Sequence, residues 1–234
     1  MLTRLTRRAA VGAAGVLAGC ALALPATSIA APTPLTPFLD GLLSNVTTYW
    51  DQTDAALGRP APAVGHVWVA PGAKVATACG AEADDGSAFY CSADDTIYVG
   101  QRFAGELYDG VLASLPGQRA GFGRAAGAVA VGYVIAHEFA HNVQAERRLP
   151  TNPLHVLPIE LNADCLAGTY TRWAYGQGEV TDAQVEQVLD AALAVGDFDF
   201  LSPQHHGTPR QRRQAVLTGF DSGRPAACDA YLLS

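Results

Sequence analysis

Residues 129–144 read VAVGYVIAHEFAHNVQ, and the interpretation of the whole chain starts from this stretch. Its long apolar run predicts a buried α-helix. Because residues four apart project from nearly the same side of an α-helix, His137 and His141 would lie side by side and could share a metal ion. Glu138 is one residue further round the helix, close enough to reach a water on that metal without being a ligand.

The two histidines supply only part of a metal site. Imidazole nitrogen suits Zn²⁺, and a catalytic zinc has three protein ligands and one position open to water. The pattern His-Glu-x-x-His fixes just three residues and also occurs by chance, in which case His137 and His141 would be surface residues of an ordinary helix. The motif therefore indicates a zinc site only if the chain supplies a third ligand.

A candidate third ligand lies in segment 159–164, which reads IELNAD. Glu160 follows His141 by 19 positions. Because Glu160 and Asp164 are four residues apart, a second helix would present both carboxylates on one face. We expect Glu160 to bind zinc and Asp164 to accept the second ring N–H of His137, as carboxylates beside zinc-bound histidines usually do. The alternative is the solvated face of an amphipathic helix, which fits the uncharged neighbours poorly.

Two other ligand schemes are weaker. The extended motif with a third histidine needs Gly at position 144 and His at position 147, where this chain has Gln144 and Arg147. His155 lies 14 residues after His141 in a proline-rich loop, and no spacing rule supports it. Glu160 is therefore the favoured third ligand.

Three segments carry a resemblance to a known family. They are HEFAHNVQ at 137–144, ELNADCLAG at 160–168 and HGTPRQR at 206–212. Together they resemble the bacterial putative neutral zinc metallopeptidase family, which is similar to the gluzincins in using His, His and Glu around zinc. The resemblance extends from about Cys79 to Cys228. The chain departs from the family at Ala140, where Gly is common, and at Asn142, where His is common, but neither change removes a ligand or the base.

The resemblance implies a zincin-like metallopeptidase domain with an active-site helix, a second ligand-bearing helix and a small sheet. It also implies hydrolysis of a peptide or protein substrate by a zinc-activated water, with Glu138 as general base. His206 would be a second donor to the developing oxyanion or a purely structural residue, with His205 and Arg212 as alternatives for the donor. Arg212 could instead pair with a carboxylate. A non-catalytic envelope protein, with a structural or regulatory zinc site that binds a partner, is the alternative function. A fourth protein ligand would favour it.

The first 30 residues read as a secretory signal peptide. Three arginines precede an apolar, alanine-rich run with no acidic residue before Asp40, a pattern typical of export rather than of a membrane span. Two processing sites are open. The segment LAGC ending at Cys20 resembles a lipobox, which would attach a lipid and hold the protein at a membrane, and the segment SIA before Ala31 resembles a signal-peptidase site. We therefore expect an extracellular or cell-envelope protein.

Residues 31–234 are predicted to form one domain. About 204 residues are enough to bury a substantial core. Without the leader arginines the formal net charge falls from −7 to −10, which argues against a nucleic-acid partner. Periodicity and capping signals predict helices over 40–57, 103–115, 158–175, 181–195 and 208–219.

Two short segments, 67–69 and 96–99, are predicted strands because they are rich in β-branched and aromatic residues. Extended peptides commonly bind by adding a strand to an exposed sheet edge. We therefore expect strand 96–99 to be such an edge beside the metal, with a plain core strand as the alternative. Helices and strands together predict a mainly helical α+β fold.

Four cysteines remain when Cys20 is set aside, an even number in a chain expected to leave the reducing cytoplasm. The sequence favours a bond between Cys79 and Cys91 across a Gly/Asp-rich turn, and a bond between Cys165 and Cys228 that would tie the C-terminal segment to the Glu160 helix. Four cysteines allow three pairings in all. A cysteine-based zinc site is disfavoured because the chain has no Cys-x-x-Cys spacing.

Overall fold

Helices make up most of the structure. The computed structural model describes residues 35–150 and 155–233. The α-helices of that part are α1 (Leu35–Ala56), α2 (Gln101–Tyr108), α3 (Pro116–Arg119), α4 (Ala128–Glu146), α5 (Leu157–Gly176), α6 (Asp182–Val195) and α7 (Pro209–Ser222), with a 3₁₀-helix at Pro225–Leu233. The strands are β1 (Gly65–Val69), β2 (Lys74–Ala76), β3 (Glu82–Asp84), β4 (Ala88–Cys91) and β5 (Thr96–Gly100). The mainly helical α+β composition is as predicted.

The predicted signal peptide, with its two processing sites at Cys20 and Ala31, lies outside the described residues. The boundary between leader and domain therefore stays a prediction. Within residues 35–150 and 155–233, no helix is both long and apolar enough to cross a bilayer.

Helix α4 runs through the centre of the core. Its apolar side chains, including Val131, Ile135, Phe139 and Val143, are almost completely buried. Helices α1, α5 and α6 pack around it, which accounts for an apolar run with little amphipathic character. The metal motif therefore sits on a helix that is held from several sides.

Strand β5 is the centre of a three-stranded sheet, and this corrects the expectation that segment 96–99 is an edge. It pairs in parallel with β1 on one side and antiparallel with β4 on the other. Ile97 and Val99 are fully buried, as side chains of a central strand are. The composition of four residues identifies a strand but not its place in a sheet, so the alternative, a core strand, is correct. The edge beside α4 is β4.

Helices α5 and α7 touch at the level of their backbones. A Cβ added at Gly219 would lie 1.8 Å from the Cys165 carbonyl oxygen, and one added at Gly168 would lie 2.1 Å from that of Val216. Two glycines therefore allow an approach that no larger residue permits. As a result the first turn of α7 lies against the start of α5.

Helix ends follow the sequence signals in two cases and depart from them in one. The capping boxes at Thr181 and Thr208 are both present. The helix predicted over 103–115 is shorter, because α2 ends at Tyr108 and Gly110 has a φ of 67°. A short helix, α3, follows it before α4.

Both favoured disulfides are present. Cys79 is bonded to Cys91, at the end of β4, and Cys165 on α5 is bonded to Cys228 in the 3₁₀-helix. Structural disulfides are typical of proteins outside the reducing cytoplasm.

Candidate metal centre

Helices α4 and α5 bring together the three predicted ligands. The Nε2 atom of His137 lies 3.2 Å from Nε2 of His141 and 3.1 Å from Oε2 of Glu160. His141 Nε2 lies 3.4 Å from the second Glu160 oxygen. One donor atom from each residue falls within a 4.8 Å cluster, which is the one group of this kind among the described residues.

The donor set fits zinc. Two imidazole nitrogens and one carboxylate oxygen are the ligands of many catalytic zinc sites. With metal–ligand distances near 2.0 to 2.1 Å, two ligands of a tetrahedral ion are about 3.3 Å apart. The separations of 3.1, 3.2 and 3.4 Å agree with that value.

A buried network holds His137 from behind. Its Nδ1 atom lies 2.9 Å from Asp164 Oδ1, as the spacing of the sequence led us to expect. The Asp164 carboxylate also accepts hydrogen bonds from Tyr133 Oη at 2.6 Å and from Arg212 Nε and Nη2 at 2.7 and 2.8 Å. When Nδ1 carries the proton, Nε2 is left with a lone pair for the metal.

The charges of this network stabilise one another. Burial by itself would raise the pKa of Asp164, but Arg212 and His137 hold it below its usual value. Burial would lower the pKa of His137, yet Asp164 and Glu160 raise it to about 10 in the metal-free site. Arg212, which the sequence left between two roles, therefore pairs with a carboxylate.

His141 is held by a residue that sequence reasoning missed. Gln144 Oε1 lies 2.8 Å from His141 Nδ1, and Gln144 Nε2 donates to Ile159 O at 2.7 Å and to Asn162 Oδ1 at 2.9 Å. The i, i+3 spacing of His141 and Gln144 on a helix is the signal that could have revealed it.

Glu138 is hydrogen bonded to strand β4. Its Oε2 atom accepts the backbone N–H of Tyr90 at 2.9 Å. The side chain is largely buried and lines a cavity of about 450 Å³ that also contains the three candidate ligands. A second cavity of about 500 Å³ is also lined by His141 and Glu160. The cluster thus borders both cavities, and the first of them, which Glu138 also lines, is termed the cleft.

The two neighbouring histidines have different surroundings. His205 is buried, with Nδ1 in a short contact to Asp197. The His206 side chain is 48 % exposed and lines the cleft, and its backbone N–H donates to Asp197 Oδ2 at 2.9 Å. Of these two histidines, His206 is therefore the one in a position to contact a molecule bound in the cleft. His155 is not part of the ligand cluster among the described residues.

Fold and site together define a mainly helical protein with a largely buried His-His-Glu cluster that lines a cleft. The family model described as "Putative neutral zinc metallopeptidase" matches residues 26–231. The chain belongs to this family, and the resemblance seen in the three sequence segments is confirmed.

The similar curated proteins carry names without a stated activity. Uncharacterized protein YpfJ of Escherichia coli (strain K12) is 34 % identical over 178 residues, which cover 66 % of this chain and 58 % of that protein. Uncharacterized protein Rv2575 of Mycobacterium tuberculosis (strain ATCC 25618 / H37Rv) is 29 % identical over 189 residues, covering 68 % and 59 %. The chain thus spans less than two thirds of the length of these relatives. No solved structure matches it significantly.

Proposed function

We propose that this protein is a zinc-dependent peptidase with a zincin-like active site, in which His137, His141 and Glu160 hold the metal. The observation that carries the proposal is the convergence of these three donors, with Glu138 beside them, on an open cleft. Among the described residues no fourth His, Cys, Asp or Glu joins the cluster, which favours a catalytic over a structural zinc site.

Zinc, when bound, supplies Lewis-acid chemistry that acidifies a water and polarises a carbonyl group. Glu138 takes the proton of the attacking water and passes it to the leaving amine. His206 donates a hydrogen bond to the substrate oxygen as negative charge develops there. Asp164 keeps the His137 ring in the tautomer and orientation that a ligand needs.

The substrate in this proposal is an extended peptide or protein segment. The outer edge of β4 runs beside Glu138, and an unpaired strand edge binds extended chains by backbone hydrogen bonds. Aromatic and apolar side chains line the cleft next to it and would receive substrate side chains. They include Phe89, Phe103, Tyr133, Val134 and Val195.

Two matched variants and a peptide-library digest test the assignment. Glu138→Gln should keep zinc but lose turnover by about 10²- to 10⁴-fold, because only the general base is removed. His141→Ala should lose the metal itself. Zinc content is measured by elemental analysis, and cleavage is followed by mass spectrometry with and without a chelator. Zinc-loaded wild-type protein that cleaves no peptide would instead support a partner-binding zinc protein.

The location of the enzyme is also a proposal. A signal peptide over residues 1–30 and two disulfides support export to the envelope or medium. Mass spectrometry of the mature N-terminus distinguishes a lipidated Cys20 from an unmodified Ala31. An intact leader on the mature protein would contradict export.

A further inference from the structure

Tyr90 lies on β4 beside helix α4, and it lines both cavities that border the ligand cluster. We propose that Tyr90 is a positioning residue for the general base: its backbone N–H orients the Glu138 carboxylate, and its phenol holds that N–H in place. This inference rests on the proposed function.

The N–H of Tyr90 is free of the sheet. Gly100 N–H donates to Ser87 O at 2.7 Å, so the last residue of β5 and the residue just before β4 form a hydrogen-bonded pair. Hydrogen-bonded and non-hydrogen-bonded pairs alternate in an antiparallel ladder. By the register of the two strands, the backbone groups of Phe89 therefore face β5, whereas those of Ala88 and Tyr90 face outward. Without Glu138, the Tyr90 N–H would be an unpaired edge donor.

The phenol of Tyr90 is tied back to the metal helix. Its hydroxyl donates to Asp95 Oδ1 at 2.8 Å, and Asn142 Nδ2 on α4 donates to the same oxygen at 2.7 Å. Asn142 is fully buried and also donates to Ala63 O at 3.0 Å, so it is a fixed anchor.

Both ends of Tyr90 thus meet one face of α4. Glu138 and Asn142 are four residues apart and project from the same side of the helix. One accepts the backbone N–H of Tyr90, and the other reaches its hydroxyl through Asp95. These hydrogen bonds form a closed ring that fixes the distance between β4 and the helix at the position of the base.

This ring of hydrogen bonds leaves one oxygen of the Glu138 carboxylate for chemistry. Oε2 of Glu138 is taken by Tyr90, and Oε1 has no hydrogen-bond partner among the described residues. An oriented carboxylate with one free oxygen is what a general base requires, and partners outside the ligand shell commonly set that orientation. A bond to a charged group is also stronger than one between neutral groups.

Replacing Tyr90 by Phe removes the anchor but keeps the N–H. In the zinc-loaded full chain we expect kcat on a cleaved library peptide to fall about 10- to 100-fold, as loss of such outer partners does. KM and zinc affinity should stay within about twofold, because the ligands are unchanged and the substitution removes only one oxygen atom from the cleft wall. Equal losses in kcat, KM and zinc affinity, or a loss of thermal stability alone, would show a merely structural role.

Tyr98→Phe is the matched control. The Tyr98 hydroxyl donates to Asp94 Oδ2 at 2.9 Å, the same kind of bond in the same sheet, but it makes no contact with Glu138. Its kcat should equal that of the wild type. Asp95→Asn, which retains an acceptor oxygen at a residue with φ of 53°, should keep more activity than Asp95→Ala. A Tyr98→Phe variant as slow as Tyr90→Phe would overturn the assignment.

The N–H itself is tested by a pair of variants that both lack the ring. Tyr90→Ala keeps the donor, and Tyr90→Pro removes it at an edge position where the ladder loses no bond. We expect the proline variant to be slower in kcat by about tenfold or more, the effect of one hydrogen bond to a charged group. Equal kcat values for these two variants would exclude a role for the N–H.

Amide hydrogen exchange separates this inference from the proposed function. The amide of residue 90 should be protected in the wild type, less protected in Tyr90→Phe, and unprotected in Glu138→Ala. A wild-type amide that exchanges freely would overturn the positioning role even if the protein is an active peptidase. A protected amide in a zinc-loaded protein without any cleavage would overturn the peptidase and leave the positioning of Glu138 established.

Discussion

Helix α4 carries the proposed zinc ligands His137 and His141 on one side, the ligand side, and the proposed general base Glu138 on another, the base side. The two sides hold these residues by different means. On the ligand side, His137 is backed by Asp164, which is fully buried and bonded to Arg212 through two nitrogens. On the base side, Glu138 is held by a single backbone N–H from a half-exposed edge strand. On each side a disulfide-bonded cysteine directly follows the residue that holds the ligand or the base. Cys165 follows Asp164, and Cys91 follows Tyr90.

This difference separates metal binding from turnover. Charges that are buried and paired contribute to folding as well as to the metal site, so the ligand side cannot change without a cost in stability. On the base side, Glu138 and Asp95 accept hydrogen bonds but form no ion pair among the described residues, so a change there leaves no buried charge without its counter-ion. We therefore expect changes on the ligand side to affect the free energy of unfolding and changes on the base side to affect kcat.

The largest effect is expected on the ligand side, for Asp164→Ala. The variant takes the close carboxylate partner from the buried Arg212 guanidinium and leaves it only the more distant Glu160, at 3.8 Å. Breaking a buried pair in this way costs about 3 to 5 kcal/mol. Urea unfolding of the metal-free protein measures the loss. An unfolding free energy equal to that of Glu138→Gln would mean that the two sides do not differ.

Removal of the Cys165–Cys228 disulfide should come next. The bond closes a segment of 63 residues, and loop-closure entropy for such a length is worth about 4 kcal/mol. The double alanine variant should therefore unfold at much lower urea concentration. The comparison fails if its change in kcat at low temperature, expressed as a free energy, exceeds its loss of unfolding free energy.

Removal of the Cys79–Cys91 disulfide is the matched change on the base side. Its separation of 12 residues predicts a smaller stability loss, of about 3 kcal/mol. Because Cys91 follows Tyr90 on β4, we also expect a fall in kcat with zinc content unchanged. Peptide cleavage and elemental analysis of the double alanine variant provide the measurement, and an unaltered kcat would show that β4 is held by the sheet alone.

The smallest effect is expected for the dependence of zinc affinity on pH. Without zinc the pKa of His137 is raised to about 10, so at neutral pH both ring nitrogens carry a proton. Zinc must displace the proton on Nε2. Zinc affinity should therefore rise with pH below that value, by up to about tenfold per pH unit for one released proton. Calorimetry in buffers of different ionisation enthalpy counts the protons, and zinc binding without proton release would contradict the pKa shift.

Much of the ligand side could be predicted because its spacing is local. His137 and His141 share a helix face by the period of the α-helix, and Glu160 and Asp164 do so on the next helix. Both capping boxes and the Cys79–Cys91 disulfide were also favoured by short-range signals, and Cys165 and Cys228 were then the two cysteines left to pair. These patterns need no knowledge of how the elements pack.

The base side could not be predicted in the same way. Segment 96–99 was expected to be the edge strand and is the central one, while the edge beside Glu138 is β4. Tyr90 and Asp95 carry no motif, and they meet Glu138 and Asn142 only after the sheet is laid against α4. Gln144 was within reach of helix geometry but was considered only as a position that lacks glycine.

The amino-acid sequence by itself determined which side chains share a helix face, where helices begin, and which chemistry a pair of imidazoles and two carboxylates can support. Tertiary structure alone decided which strand borders the cleft, which group holds the base, and that Arg212 completes the support of His137. The physical reason is the distance along the chain over which each effect acts. The period of a helix fixes directions over a few residues, whereas the order of strands and the approach of α7 to α5 depend on how distant surfaces fit together.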